Sequence, residues 1–287
     1  MIKIAFGMIV FEGDYVLNEC LSQIYPYAHQ IVIAEGPVKF WQDKGRTTST
    51  DYTNIILRDF PDPQNKISVV HGQFPEKDQQ SNAYMGLLHD DVDYLWMVDS
   101  DEVYKKEDIE KTIKFLESEK PTSVGVKSCS FFGGFDHYLT GFEQKTDNFL
   151  RIFKYEPSCT WLTHRPPTMN YKSGIKRKHV NSDEFYEKTG VMMYHYSYVF
   201  NRQVKSKVEY YEAKVSKHKC IKNYYENVFS RWKAASTVEK FLIENEYDGV
   251  HEWYPQYRGP CRTERFIGTH PQAIQENIRH LEKIANS

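Results

Sequence analysis

The run Tyr94-Leu95-Trp96-Met97-Val98-Asp99-Ser100-Asp101-Glu102 decides how the rest of the chain is read. Five apolar or aromatic residues of strand length end abruptly in three carboxylates, the pattern of a buried strand that delivers Asp99 and Asp101 to its C-terminal edge. In open α/β sheets that edge is where ligands bind. Two carboxylates one residue apart repel, and a hard divalent cation, or a hydroxyl with a cation beside it, takes up their charge. A strand that ends in a solvated acidic turn is the plainer alternative for this segment.

Working outward, Ile2 to Val10 predicts a first strand, Asp14 to Tyr25 a helix with Leu17, Leu21 and Ile24 on one face, and Gln30 to Ala34 a second strand closing at Glu35-Gly36-Pro37. Two strands joined through a helix lie parallel. Thr53 to Phe60 predicts a helix stopped by Pro61 and Pro63, Lys66 to His71 a third strand, and Gln79 to His89 a helix that leads into the acidic strand. Four strands alternating with three helices point to a doubly wound α/β sheet. No GxGxxG follows the first strand and no GxxxxGK[ST] occurs, which argues against dinucleotide-binding and P-loop folds.

Beyond Glu102, Lys105 to Glu117 predicts a helix, and Ser123 to Phe132, Asn148 to Tyr155 and Val191 to Tyr198 predict strands. The polar, partly basic stretch 171–188 reads as a long loop of the kind that covers a substrate. From Asn201 to about Tyr247 the pattern turns helical and amphipathic, and a helix from Pro271 to Ile284 closes the chain. The expected organisation is an α/β domain over residues 1–200 with a helical extension over 201–287.

A net charge of -2 spread over 37 basic and 39 acidic residues gives no electrostatic case for nucleic-acid or membrane binding. Membrane contact is expected to be peripheral at most, since no apolar run approaches spanning length. Five dispersed cysteines without metal-ligand or redox spacing fit a reducing, cytoplasmic setting. The 21 Tyr, 17 Phe and 5 Trp suit sugar or base stacking, although filling a core is the commoner use of aromatics.

Four features, taken in order, resemble the family 2 glycosyltransferases of the GT-A fold, inverting enzymes that use a nucleotide-diphosphate sugar. They are the first strand with its helix, the second strand ending at Glu35-Gly36, the Asp-X-Asp at Asp99-Ser100-Asp101, and a late block. That block, Arg151-Ile152-Phe153-Lys154, then His164, then His195-Tyr196-Ser197-Tyr198, is similar to signposts of the smaller bacterial members that glycosylate peptides or lipopolysaccharide cores. The resemblance covers about residues 2–215. One departure is His164-Arg165, where the family pattern has His-Glu.

The resemblance implies a GT-A (Rossmann-like) mixed sheet and transfer of a sugar from a UDP-, GDP- or dTDP-sugar to a glycan, lipid-linked or protein acceptor, with Mn²⁺ or Mg²⁺ bridging the phosphates. It makes Asp99 the ribose partner and Asp101 the principal metal ligand, with His195 a candidate third ligand; a strand histidine is otherwise a hydrogen-bonded core residue. Val10, Glu35, Gly36, Lys77, Gln80, Asn82 and Ser100 complete the expected donor-binding set, Glu35 accepting from a uracil or ribose. A solvated loop accounts equally well for Lys77. An inverting reaction needs a base for the acceptor proton. The candidates are Asp183, Glu184, Asp136, Glu143 and His164.

Two other classes stay open. Asp99-Ser100-Asp101-Glu102-Val103 also fits the Asp-X-Asp-X-(Thr/Val) of haloacid-dehalogenase-like phosphatases, but it falls on the fourth strand and no Gly-Asp-X-X-X-Asp follows. A non-catalytic carbohydrate-binding protein on a transferase scaffold is the other, and the intact Asp99 and Asp101 argue against it.

Overall fold

In the computed structural model β1 (Ile4–Val10) is buried along almost its whole length with no polar alternation. A strand of that kind belongs in a parallel sheet covered on both faces. Following it are α1 (Leu17–Ile24), β2 (Gln30–Glu35), α2 (Thr53–Asp59), β3 (Ile67–His71), α3 (Lys77–Met85), β4 (Tyr94–Met97), α4 (Lys106–Glu119), β5 (Ser123–Gly125), β6 (Leu150–Lys154), β7 (His179–Val180) and α5 (Ser182–Thr189). The structure describes residues 2–145, 149–171, 174–214 and 219–286.

The seven strands hydrogen-bond in the order β7-β5-β6-β4-β1-β2-β3. β1 is parallel to both β2 and β4, β2 to β3, and β7 to β5, while β6 is antiparallel to its neighbours β4 and β5. Six strands therefore point one way and only β6 runs back. This is the mixed, doubly wound α/β sheet expected from the sequence. One face packs Ala5, Val32, Leu95 and Phe153 against Tyr84 and Met85 of α3. Phe6 and Trp96 stack at 5.3 Å between ring centroids, and Tyr104 meets the Trp96 edge at 4.8 Å.

Two expectations are corrected. Residues 123–132 form two strands, β5 and Lys127–Phe132, which lie in different sheets. Within 171–188, where 172 and 173 lie outside the described residues, the expected loop contains β7 and α5. Helix α5 has clear end signals: the Asn181 side chain accepts from the Glu184 amide at 2.9 Å, and Gly190 closes the helix at φ 68°. Its apolar periodicity is weak, since Ser182 and Phe185 are its buried residues.

By the density of internal packing the chain forms two units. The first holds Met1–Lys127, Asp147–Met193 and Pro271–Ala273, and the second Ser128–Thr146, Tyr194–His270 and Ile274–Ser287. In the second, Thr263–Arg265 and His137–Leu139 pair antiparallel, next to the strand residues 128–132 and then 194–198. Helices Asn201–Lys214 and Thr237–Glu246 belong to it, the latter opened by a capping box of Ser236 and Glu239. Its core gathers Phe132, Tyr198, Val204, Tyr224, Phe229 and Trp232.

Candidate functional site

Strand register sets the candidate site of the first unit. Val10, the last residue of β1, stands opposite Glu35, the last of β2, and Glu35 stands opposite His71, the last of β3. Gly7 pairs with Met97, and the Val98 amide donates to the Gly7 carbonyl at 3.0 Å, so the acidic turn leaves β4 level with the end of β1. Asp99, Val10, Glu35 and His71 thus share the C-terminal edge. Asp99 and Glu35 are two strand spacings apart, about 10 Å. A Cβ placed on Gly13 would sit 2.5 Å from the Ser100 hydroxyl, which shows how closely the loop after β1 covers the acidic turn.

The turn is tied at its base. The Glu102 amide donates to the Asp99 carbonyl at 3.0 Å, and the Asp99 amide to the Glu102 carboxylate at 3.2 Å. Because β6 is antiparallel to β4, with Ile152 opposite Trp96, Arg151 arrives one step further along, beside the end of β4. Its Nε donates to both oxygens of the fully buried Glu102 at 2.9 and 3.1 Å, and its Nη2 reaches Asp99 at 3.3 Å. Burial alone raises the pKa of Asp99, but Arg151, then His164, Arg165 and Lys77, outweigh it and hold this carboxyl well below the ordinary range. Its side chain keeps 18% exposure.

These residues suit a hard dication. Asp99 is already balanced by Arg151, and the half-buried Asp101 adds a second oxygen donor one residue on. Carboxylates of this type select Mg²⁺ or Mn²⁺ over softer ions.

Glu35 is 3% exposed. It accepts from the Ser49 hydroxyl at 2.6 Å, and its other oxygen lies 3.0 Å from His71 Nδ1. Ser49 also accepts from the Glu12 amide at 2.9 Å, which fixes the stretch 46–53 over the sheet edge. Glu35, Gly36, Thr48, Asn54, Arg58 and His71 line a cleft of about 760 Å³. That volume lies within the range of ligand sites. Gly36 is required where it stands: at φ 141° a Cβ would fall 1.8 Å from the Gly72 carbonyl oxygen.

The other expected donor-site groups are distributed differently. The Gln80 amide points into the sheet, reaching the carbonyls of Ala34 and Gly36 at 3.0 Å and of Val10 at 3.3 Å. Asn82 exchanges two hydrogen bonds with the Trp161 main chain, at 2.8 and 2.9 Å. Both amides thus serve the framework beneath the edge. Lys77 opens α3, and its charge acts on Asp99 and His164. His164 lies 3.2 Å from the Ser81 hydroxyl through Nδ1. Burial is the main influence on it; Asp99 opposes this, Lys77, Arg165 and Arg151 reinforce it, and the imidazole is lowered to about 3.

Asp183 and Glu184 occupy the first turn of α5, where negative charge is favoured by the helix dipole. Asp183 pairs with Lys127 at 2.7 Å, and Glu184 with Lys188 at 2.9 Å. β7, which feeds α5, runs with β4 and lies three positions across the sheet, about 14 Å away at the usual spacing.

The second unit holds the remaining candidates. Asp136 is largely exposed and pairs with His137 at 2.9 Å. His195 is buried on the strand Met192–Tyr198, with Nδ1 3.4 Å from the Ser130 hydroxyl. Ser130 also donates to Glu143 at 3.3 Å, and Glu143 lies 3.4 Å from His251 Nε2. His251 Nδ1 is 2.9 Å from Glu252, to which the Tyr198 hydroxyl also donates. Burial lowers the pKa of His251, but Glu252 and Glu143 override it and leave the imidazole raised. Sequence reading did not anticipate this cluster, nor the pairing of Arg151 with Glu102. An arginine inside an otherwise apolar strand was the available signal for the latter.

The glycosyl transferase family 2 model matches residues 47–181, just under half of the chain, from α2 through β7. Strands β1 and β2 lie outside that span. S. aureus TarS 1–349 in complex with UDP-GlcNAc is similar at 12% identity with a TM-score of 0.39, over 67% of this chain and 56% of that one. TarS 1–349 alone is similar at 13% identity and a TM-score of 0.38, over 53% of this chain and 47% of that one. This chain therefore covers less than two thirds of those TarS chains. No curated protein matches.

Proposed function

We propose that this chain is a glycosyltransferase that moves a sugar, with inversion, from a nucleotide-diphosphate sugar to a glycan, lipid-linked or protein acceptor. The observation that carries the proposal is the common C-terminal edge, where β1, β2 and β4 end at Val10, Glu35 and the acidic turn, and where a cleft of about 760 Å³ opens beside Glu35. The family match over residues 47–181 supports it.

In this reading Glu35 and His71 hold the nucleoside, and Asp99, kept ionised beside Arg151, faces the ribose. Asp101 is the principal ligand for Mn²⁺ or Mg²⁺, which when bound offsets the charge gained by the leaving pyrophosphate. Lys77 and Arg165 supply positive charge that acts on Asp99. An imidazole lowered to about 3 takes up little proton near neutral pH, so His164 is assigned to positioning and the acceptor proton to a carboxylate. Asp183 and Asp136, both well exposed, are the carboxylates proposed for comparison.

Thermal-shift titration with UDP-, GDP- and dTDP-sugars, with and without Mn²⁺, tests the proposal. One nucleoside class should raise the Tm only with the metal, and that donor should be slowly hydrolysed without acceptor. Cleavage of p-nitrophenyl phosphate with no response to any sugar nucleotide would favour a phosphatase instead.

A further inference from the structure

At the opposite edge of the large sheet, where the parallel strands begin, stands a group of side chains that the proposed transfer does not use. His29 immediately precedes β2, while His89 and Asp91 lie on the turn that leads into β4. One ligand atom from each of the three lies within 4.8 Å of the other two. His29 Nε2 and Asp91 Oδ1 are 3.1 Å apart, and the two imidazoles meet edge to face with centroids 5.9 Å apart. Around a tetrahedral ion with bonds of about 2.0 Å, ligand atoms are about 3.3 Å apart, so modest side-chain rotation brings all three to bonding distance.

The main chain beneath them is fixed. The His29 amide donates to the Ile4 carbonyl at 2.9 Å. Gln30, almost fully buried, donates to the Leu87 carbonyl at 2.8 Å and accepts from the His89 amide at 3.0 Å, which fastens the turn to the start of β2. Lys3 and Asp93 join β1 to the same turn, with the Lys3 amide donating to Asp93 Oδ2 at 2.7 Å and the Asp93 amide to the Lys3 carbonyl at 2.8 Å. The Lys3 ammonium holds Asp91 Oδ2, leaving Oδ1 turned toward His29. Such an outer partner orients a metal-ligating carboxylate.

We infer that His29, His89 and Asp91 form a binding site for Zn²⁺ or a similar first-row dication, fastening together the beginnings of β2 and β4. Two imidazoles and a carboxylate suit such ions better than they suit Mg²⁺ or Ca²⁺. Three protein ligands leave a fourth position for water. The seven residues of β1 separate this edge from the acidic turn by about 20 Å at the usual rise, so the inference stands apart from the proposed transfer reaction.

The test uses the full, tag-free chain after dialysis against EDTA, titrated with Zn²⁺ by calorimetry and with Co²⁺ by visible absorption. Wild type and Asp101→Ala should each take up one equivalent of Zn²⁺ with a rise in Tm. His29→Ala and His89→Ala should bind at least about a hundredfold more weakly, since loss of an outer partner alone weakens metal sites 10- to 100-fold. His89 is exposed, and circular dichroism of its variant should match wild type. No stoichiometric uptake by wild type, uptake unchanged in His89→Ala, or loss of uptake in Asp101→Ala would each overturn the assignment.

Discussion

The acidic turn after β4 and the Glu143–His251–Glu252 cluster of the second unit use similar side chains in opposite ways. In the turn, Glu102 is fully buried against Arg151, while Asp99 keeps 18% exposure at an open sheet edge. In the cluster, Glu252 and His251 are 3% and 5% exposed and satisfy each other, with Tyr198 and Glu143 closing the network. A buried carboxylate needs a partner in either place. What distinguishes the two is whether a second carboxylate remains accessible beyond the partnered one. The turn supplies Asp99 and Asp101 beyond Glu102, whereas the cluster consumes its carboxylates internally, as a structural network does.

The comparison can be broken first at Asp101. Asp101→Ala should abolish metal-dependent donor binding and lower transfer at least about a hundredfold, the scale of a lost ligand to a charge-stabilising ion. Its melting temperature should stay near that of wild type, because the Glu102–Arg151 pair that ties the turn stays in place. Transfer at wild-type rate in this variant would refute the reading of the edge.

Glu252→Gln should behave in the reverse manner, lowering stability by about 3 kcal/mol with donor binding unchanged, because it breaks a buried charged pair. Denaturant melts and donor titrations on one preparation separate the two effects. The pH dependence sharpens this point. A raised His251 pKa gives stability that is complete below its unfolded value of about 6.5 and is lost as pH rises through the folded value. Glu143 and Glu252 are lowered, despite burial, chiefly by His251; their contribution is complete above about 4.3 and is lost as pH falls through the folded values. The cluster thus contributes most between about pH 4.3 and 6.5. His251→Gln should flatten the stability profile on both sides of that window, and an unchanged profile would remove the cluster from the account.

The smallest effect is expected at Glu35. Glu35→Gln should raise the KM for donors that share a nucleoside by about tenfold, whatever their sugar, as for one charge-assisted hydrogen bond. A sugar-dependent change would move Glu35 away from the nucleoside.

Much of the first unit was legible because its signals are local. The apolar run ahead of Asp99, the alternation of strands and helices, and Glu35 at the close of β2 depend on neighbours within one element, and strand direction then places them on a common edge. Helix α5 was missed despite its Asn181 and Gly190 caps because its burial is too slight to give a periodic pattern. Arg151 could be seen as a basic residue in an apolar strand, but its pairing with Glu102 needed the antiparallel register of β6 on β4. Gln80 and Asn82 have the composition of ligand contacts, and only their main-chain partners show that they bind the framework.

By itself the sequence determined that this is an α/β chain with a strand ending in Asp99-Ser100-Asp101, since hydrophobic periodicity and carboxylate spacing are properties of adjacent residues. The tertiary structure alone decided which polar residues meet. Glu143, His195 and His251 come from segments more than fifty residues apart, and His29, His89 and Asp91 join only when β2 and β4 begin at the same edge. Such pairings are set by chain crossings and register, which lie beyond the few-residue range over which local pattern carries information.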